Sequence, residues 1–347
     1  MDFFRNRAIL FFAFLLFVFK VFPQDTLQTV IARQGDGIYS LLRKQGIDPT
    51  KHYREFIELN RESLGVDDQL LVDKAYRIPS VKVDSLTVVD SIQKISKDLK
   101  PVDGVEYSIF GPEHSLVLNV SDKLEGAVYY LVSGHGGPDP GAVEQYDGKI
   151  IAEDEYAYDV TLRLAKELLA NGAKVYIIVR DPDDGIRDQM ALEIDRDEVV
   201  YPNEVIPLNQ LSRLEQRVEV VNELYKEHTG HYQRLIVTHV DSRSEGTNID
   251  VFFYYHEDSK NGQRLAENIH KTFHDKYATY QPNRDYLGTF SDRSNLYLVK
   301  KTLPAMVYIE LGNIRNKKDQ KRILDPENRQ ALAKWIAEGV MLDFDTK

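Results

Sequence analysis

The period of the hydrophobic positions changes several times along the chain, and each change marks an element. Residues 9–19 are all apolar, with Arg5 and Arg7 before them and Lys20 after. A basic stretch ahead of a short apolar run is the pattern of an export signal. The run is too short to cross a bilayer comfortably as a helix. Val21, Phe22 and Pro23 make a poor cleavage site, so an uncleaved N-terminal anchor is the alternative. Residues 29–32 then read as a strand, and Asp36 in the turn 34–37 is placed to cap the next helix. Ile38, Leu41, Leu42 and Ile47 give that short amphipathic helix, ending near Gly46, and residues 52–60, with Phe56, Ile57 and Leu59, give a second. Residues 76–79 close this unit as a strand. Val88, Val89, Ile92 and Ile95 recur at helical spacing in a polar linker that Pro101 and Gly104 end.

From residue 105 onward, strands and helices alternate. The expected strands are 127–132, 174–179, 234–238, 250–255 and 305–309, and the expected helices 153–170, 214–225, 262–273 and 328–342. Residues 127–132 form an unbroken apolar run, as a strand buried on both faces requires. In the first helix Val160, Leu164 and Leu168 mark a buried stripe that Asn171 and Gly172 stop. Such alternation implies an α/β fold, a mostly parallel sheet with helices on both faces. The chain therefore divides into residues 1–24 (signal peptide or anchor), 25–80 (a small βααβ unit), 81–104 (linker) and 105–347 (the α/β domain).

Charge narrows the function. The 347 residues carry a formal net charge of -11, which argues against a nucleic-acid protein, since those present a basic face. There is no cysteine, so disulfides and thiolate ligands are excluded, and any zinc site must use His, Glu and Asp. Active sites of parallel sheets lie at the carboxyl ends of the strands. Four ionisable residues fall there: His135 after the first strand, Glu153 at the start of the first helix, and His239 and Glu310 directly ending the strands 234–238 and 305–309. Two imidazoles and one carboxylate make a catalytic zinc shell with an open fourth position for water, and a further carboxylate can move that water's proton. Each residue also has a plainer role. A strand-end histidine such as His239 can be structural, Glu153 can simply favour a helix N-terminus, and Glu310 can be an ion-pair partner. The glycines around His135 match neither the dinucleotide fingerprint nor a P-loop.

Residues 134–142, which run Gly-His-Gly-Gly-Pro-Asp-Pro-Gly-Ala, resemble the opening signature of the zinc-dependent N-acetylmuramoyl-L-alanine amidases of the type 3 class. The likeness extends over residues 125–342 through Arg180 and Asp181, through Leu214 to Arg217 with Asn222, through the strand ending at His239, and through residues 304–312 with Asn316. It implies that His135, Glu153 and His239 hold Zn2+, and that Glu310 is the catalytic glutamate. Alignment without gaps selects Glu153 as the carboxylate ligand; Glu155 is the fallback and needs a gap. The implied reaction cuts the amide between N-acetylmuramic acid and the L-alanine of the peptidoglycan stem peptide with a zinc-activated water. The alternatives are a non-catalytic wall-binding protein with a degenerate amidase domain, or a zinc peptidase cutting within the stem peptide. Two departures bear on substrate preference: Val240 and Asp241 stand where the family has alanine and asparagine, and Asn313 stands where it has an apolar aromatic. An acidic segment, 181–208, exceeds the family norm and reads as a surface loop, with a lid or a partner surface as alternatives. In the small unit, Gly35, Asp36, Asn60, Ile78 and Pro79 resemble a LysM module, which implies binding to glycan strands. The resemblance and the apolar N-terminus together imply an exported, periplasmic or envelope-associated enzyme, with peptidoglycan as its partner, no nucleic acid, and any regulatory protein unidentified.

Overall fold

A computed structural model describes residues 28–33, 36–47, 49–65, 69–79, 104–242 and 248–347. The signal and the linker helix expected from the sequence lie outside the described residues. Two compact units form, one within residues 1–98 and the other within 99–347.

The first unit has the expected strand–helix–helix–strand order: β1 (Thr29–Ile31), α1 (Ile38–Lys44), α2 (Pro49–Asn60) and β2 (Ala75–Arg77). The two strands are antiparallel, with Val30 opposite Tyr76. Leu41, Leu42, Phe56, Tyr76 and Ile78 fill a core of their own. Asn60 ends α2 and clamps it to the closing strand. Its amide nitrogen donates to the Phe56 and Arg77 carbonyls, and its oxygen accepts from Arg77 N at 2.7 Å.

The second unit runs β3 (Gly104–Glu106), β4 (Leu116–Leu118), β5 (Ala127–Ser133), β6 (Val143–Tyr146), β7 (Lys149–Ala152), α3 (Glu153–Ala170), β8 (Lys174–Ile177), β9 (Val179–Arg180), β10 (Val199–Val200) and β11 (Glu204–Val205). It continues α4 (Gln210–Glu227), β12 (Tyr232–Asp241), β13 (Phe252–Tyr255), α5 (Lys260–Tyr280), β14 (Thr289–Asp292), α6 (Tyr297–Lys301), β15 (Met306–Asn313), α7 (Lys317–Leu324) and α8 (Pro326–Asp345). Six strands make the central sheet in the order β14-β13-β15-β12-β5-β8. Strands β8, β5, β12 and β15 are mutually parallel, β13 runs antiparallel to β15, and β14 runs parallel to β13. The fold is α/β with a mostly parallel sheet, as the alternation implies. Side chains alternate between its faces. Tyr129, Leu131, Ile236, Val307 and Ile309 pack against α3, α5 and α8, while Tyr130, Val132, Leu235, Val237 and Met306 pack against α4 and α6. Every residue of β5 is buried, and each large apolar side chain so covered contributes roughly 1.5–3 kcal/mol.

The structure departs from the sequence-based expectation in several places, beginning with β14 at the sheet edge, which no strand pattern announced. The strand expected over 174–179 is two strands, because the chain leaves the sheet edge after Ile177. Val179 and Arg180 then pair with β10 instead. Helix α3 has the expected bounds, while α4, α5 and α8 run longer than expected, since polar caps set their starts: Asn209, Ser259 and Asp325 accept from amides in their first turns. His239 and Glu310 lie within β12 and β15 rather than just beyond them. A register shift after His239 keeps the two strands paired out to Asp241 and Asn313. Finally, segment 181–208 is not a free surface loop. Ile186, Leu192, Glu198, Val200 and Ile206 are buried in it. Among the described residues no helix is long and apolar enough to cross a membrane.

Candidate metal centre

Strand and helix ends bring His135, Glu153 and His239 together. His135 sits in the loop that leaves β5, Glu153 is the first residue of α3, and His239 stands near the end of β12, the strand beside β5. Helix α3 is fixed on β12 by a 2.6 Å hydrogen bond between the Thr161 and Thr238 hydroxyls, and Thr238 also donates to the Ala157 carbonyl. That contact sets the start of the helix against the residue next to Thr238, which is His239. Glu153 lies between the two rings. Its Oε1 is 2.8 Å from His239 Nδ1 and its Oε2 is 3.3 Å from His135 Nε2. One donor atom from each residue falls within 4.8 Å of the other two. A tetrahedral shell with ~2.0 Å bonds sets its ligand atoms about 3.3 Å apart. Two imidazoles and a carboxylate are the donor chemistry of a zinc shell, and the 2.8 and 3.3 Å separations lie near that spacing.

The surrounding backbone leaves room for little else. A Cβ on Gly134 would lie 2.2–2.4 Å from the His239 ring, and one on Gly141 would lie 2.7 Å from Glu153 Oε2. Both positions need glycine because a side chain of the triad passes where a methyl would sit. His135 itself adopts φ 60°, which is uncommon for a residue with a side chain and is held only where the surroundings enforce it.

A second tier of contacts orients the three side chains. Asp139 Oδ2 pairs with His135 Nδ1 at 3.1 Å, which leaves Nε2 facing Glu153. Asp139 is held in turn by Arg213 at 2.7 Å and by the Gly141 amide. Arg217, buried, donates to the His135 carbonyl at 2.6 Å. Glu153 accepts from the amides of Ala142 and Val240, both at 3.0 Å. The Tyr308 ring stacks on His239, with centroids 4.6 Å apart and planes at 14°. Such outer partners fix ring orientation and ligand basicity at metal sites. Asp139 and Arg217 stand inside the matched motifs, but nothing in the sequence assigned them these contacts. An Asp four residues after a loop histidine was the available signal for the first.

The two imidazoles differ electrostatically. Burial works to lower the His135 pKa, but the Asp139 and Glu153 carboxylates outweigh it and raise it to about 10. His239 is pushed down, by burial first and by the charges of His135 and Arg217, against the pull of Glu153. Burial raises Glu153, yet its hydrogen bonds to both rings win and hold it well below the usual carboxylate range. The triad thus sets one ionised carboxylate between an imidazole that keeps its proton and one that sheds it.

Glu310 and Glu155 have different surroundings. Glu310 on β15 is the register partner of His239 on β12, so both side chains leave the sheet on the same face. Burial raises the Tyr308 pKa, and the charges of Glu310 and Glu153 add to that. Glu155 turns away from the imidazoles and pairs with Arg187 at 2.8 Å. Val240 is buried, and Asp241 and Asn313 face each other across β12 and β15.

Residues 130–341 match the family described as N-acetylmuramoyl-L-alanine amidase. No match is found among curated protein sequences. Among solved structures, the chain is similar to the CwlD amidase from Clostridioides difficile in complex with the GerS lipoprotein, at 20% identity and a TM-score of 0.48, over 63% of this chain and 99% of that one. It is also similar to the catalytic domain of CwlV, an N-acetylmuramoyl-L-alanine amidase from Bacillus (Paenibacillus) polymyxa var. colistinus, at 22% identity and a TM-score of 0.45, over 64% and 99% of the two chains. A third is the N-acetylmuramoyl-L-alanine amidase AmiC2 of Nostoc punctiforme, at 22% identity and a TM-score of 0.44, over 65% and 99%.

Proposed function

The chain belongs to the N-acetylmuramoyl-L-alanine amidase family, and on that premise we propose that His135, Glu153 and His239 hold a zinc ion and that Glu310 moves the proton during amide hydrolysis. The observation that carries this reading is the convergence of two imidazoles and one buried carboxylate from three separate segments within 4.8 Å. A zinc ion bound there supplies Lewis acidity towards the lactyl carbonyl and the attacking water.

The residues do the rest. Glu310 accepts a proton from the attacking water as its oxygen bonds to the lactyl carbon. It returns a proton to the nitrogen as the carbon–nitrogen bond breaks. The products are a free lactyl carboxylate on N-acetylmuramic acid and a stem peptide with a new amino terminus on L-alanine. Asp139 and Arg213 keep the His135 ring in register, Arg217 holds the loop behind it, and Tyr308 presses on the flat face of His239. Val240 and Asn313 are fully buried, so neither meets a stem peptide directly, whereas Asp241, two residues after His239, is only part-buried and is the position to vary for substrate preference.

The first unit supports a supplementary reading. Its βααβ order and its Asn60 clamp are consistent with a LysM-like module that binds the glycan strand and brings residues 104–347 to the wall. The apolar run at 9–19 supports export, which the substrate's location requires.

Incubation with purified sacculi tests the function. Released peptides should carry new amino termini on L-alanine, read by mass spectrometry; other termini would move the cut into the stem peptide. Chelator treatment should abolish release. Glu310→Ala should keep one zinc per chain by metal analysis while turnover falls by about 10²–10⁴-fold, the usual contribution of a positioned proton-transfer group. Retained turnover in that variant would remove Glu310 from the chemistry.

A further inference from the structure

Behind the metal loop lies a second group of donors, independent of the amidase reading. Asp154 and Glu155 occupy the first turn of α3, and Glu198 arrives from the acidic segment just before β10. The three are 2%, 2% and 7% exposed. One carboxylate oxygen from each lies within 4.8 Å of the other two. That is the widest separation two oxygens can have across one calcium ion with bonds of about 2.4 Å.

Their partners within the protein do not balance them. Glu155 accepts from Arg187 at 2.8 Å and from the Asp195 amide at 3.3 Å. Glu198 Oε2 accepts from the Gly137 amide at 2.6 Å. Asp154 Oδ1 accepts from the Glu155 amide of its own helix at 3.0 Å, while its Oδ2, fully enclosed, has no hydrogen-bond partner among the described residues. Among the described residues Arg187 is the one guanidinium hydrogen-bonded to any of the three carboxylates, and Arg217 acts on Glu198 only through its charge. Buried charge of one sign without a counter-charge is strongly disfavoured. An all-oxygen donor set selects a hard cation over zinc.

We propose that Asp154, Glu155 and Glu198 bind a calcium ion that ties the acidic segment to the loop carrying His135. The position gives the ion a structural task. Glu198 already holds the Gly137 amide, and His135 is two residues before Gly137. A cation fixing Glu198 to α3 fixes the back of the zinc loop to the helix that supplies Glu153.

The test uses the full chain, stripped with chelator, reloaded with one equivalent of zinc and titrated with calcium chloride by calorimetry. One calcium per chain should bind beside the zinc and raise Tm. Asp154→Asn and Glu198→Gln should each weaken calcium binding at least tenfold while zinc content stays at one. Asp183→Asn with Asp197→Asn, in the more exposed acidic group nearby, should leave it unchanged. Absence of calcium binding by the folded wild type, unchanged affinity in both of the first variants, or loss in the Asp183/Asp197 variant would overturn the assignment. A wild-type measurement covers variants that fail to fold. Calcium should slow amide hydrogen exchange at Gly137 and at the segment around Glu198, and equal exchange with and without calcium would overturn it.

Discussion

At the residue scale, a single methyl group should separate a chain that holds metal from one that does not. A Cβ at position 134 would stand 2.2–2.4 Å from the His239 ring, and that ring is pinned by Glu153 and Tyr308. Gly134→Ala should therefore weaken zinc binding by about 10- to 100-fold, the scale on which disturbed outer partners act, measured by competition with a chromophoric chelator. Unchanged affinity would mean the ring has freedom that the geometry denies. Protonation offers a second check. In the metal-free chain, His135 has its pKa raised from 6.5 to about 10. The folded form thus holds this proton more tightly than the unfolded form. The resulting stability is fully present below about pH 6.5 and is lost as pH rises through about 10. Urea midpoints of chelated protein should fall between pH 7 and pH 10 by more in the wild type than in His135→Gln. With zinc added, binding should displace protons and weaken as pH falls.

At the scale of elements, buried polar residues hold the site together. Asp159, fully buried on α3, accepts from Arg163 at 2.7 Å and from Arg329 of α8 at 2.6 Å, and its other oxygen accepts from the Arg187 amide. Arg329, also fully buried, reaches on to the carbonyls of Arg187 and Gln189. One network thus joins two helices to the acidic segment that borders the metal loop. Removing one partner of a buried pair leaves the other charge stranded, at about 3–5 kcal/mol. Arg329→Met should lower the urea midpoint accordingly, and hydrogen exchange should quicken across 187–198. A loss under about 1 kcal/mol would show that Arg163 alone satisfies Asp159. These contacts were not legible in the sequence, where Asp159 and Arg329 lie 170 residues apart. The helices carrying them were, because Val160, Leu164 and Leu168 repeat at the spacing of one buried face.

At the scale of the whole molecule, the chain joins two units with separate cores. If the first is a glycan-binding module, deleting residues 25–80 should leave cleavage of a small soluble muropeptide within about twofold, since His135, Glu153, His239 and Glu310 all belong to the second unit, while co-sedimentation with insoluble sacculi should drop severalfold. Linking a binding module to a catalytic one raises local substrate concentration without altering the chemistry. Equal sedimentation of both forms would reduce the first unit to a spacer.

What the sequence determined by itself was the kind of layer each segment must join and the residues available for chemistry. Unbroken apolar runs had to be strands buried on both faces, and the absence of cysteine left only histidine and carboxylate ligands. Only the tertiary structure decided which carboxylate meets the imidazoles. Glu153 and Glu155 share one helical turn, and two residues along a helix is a rotation of about 200°. One therefore turns to His135 and His239 and the other to Arg187. It also decided that the acidic segment is packed rather than free. Burial of Glu198 depends on the position of a glycine amide 61 residues away, and no local pattern encodes that distance.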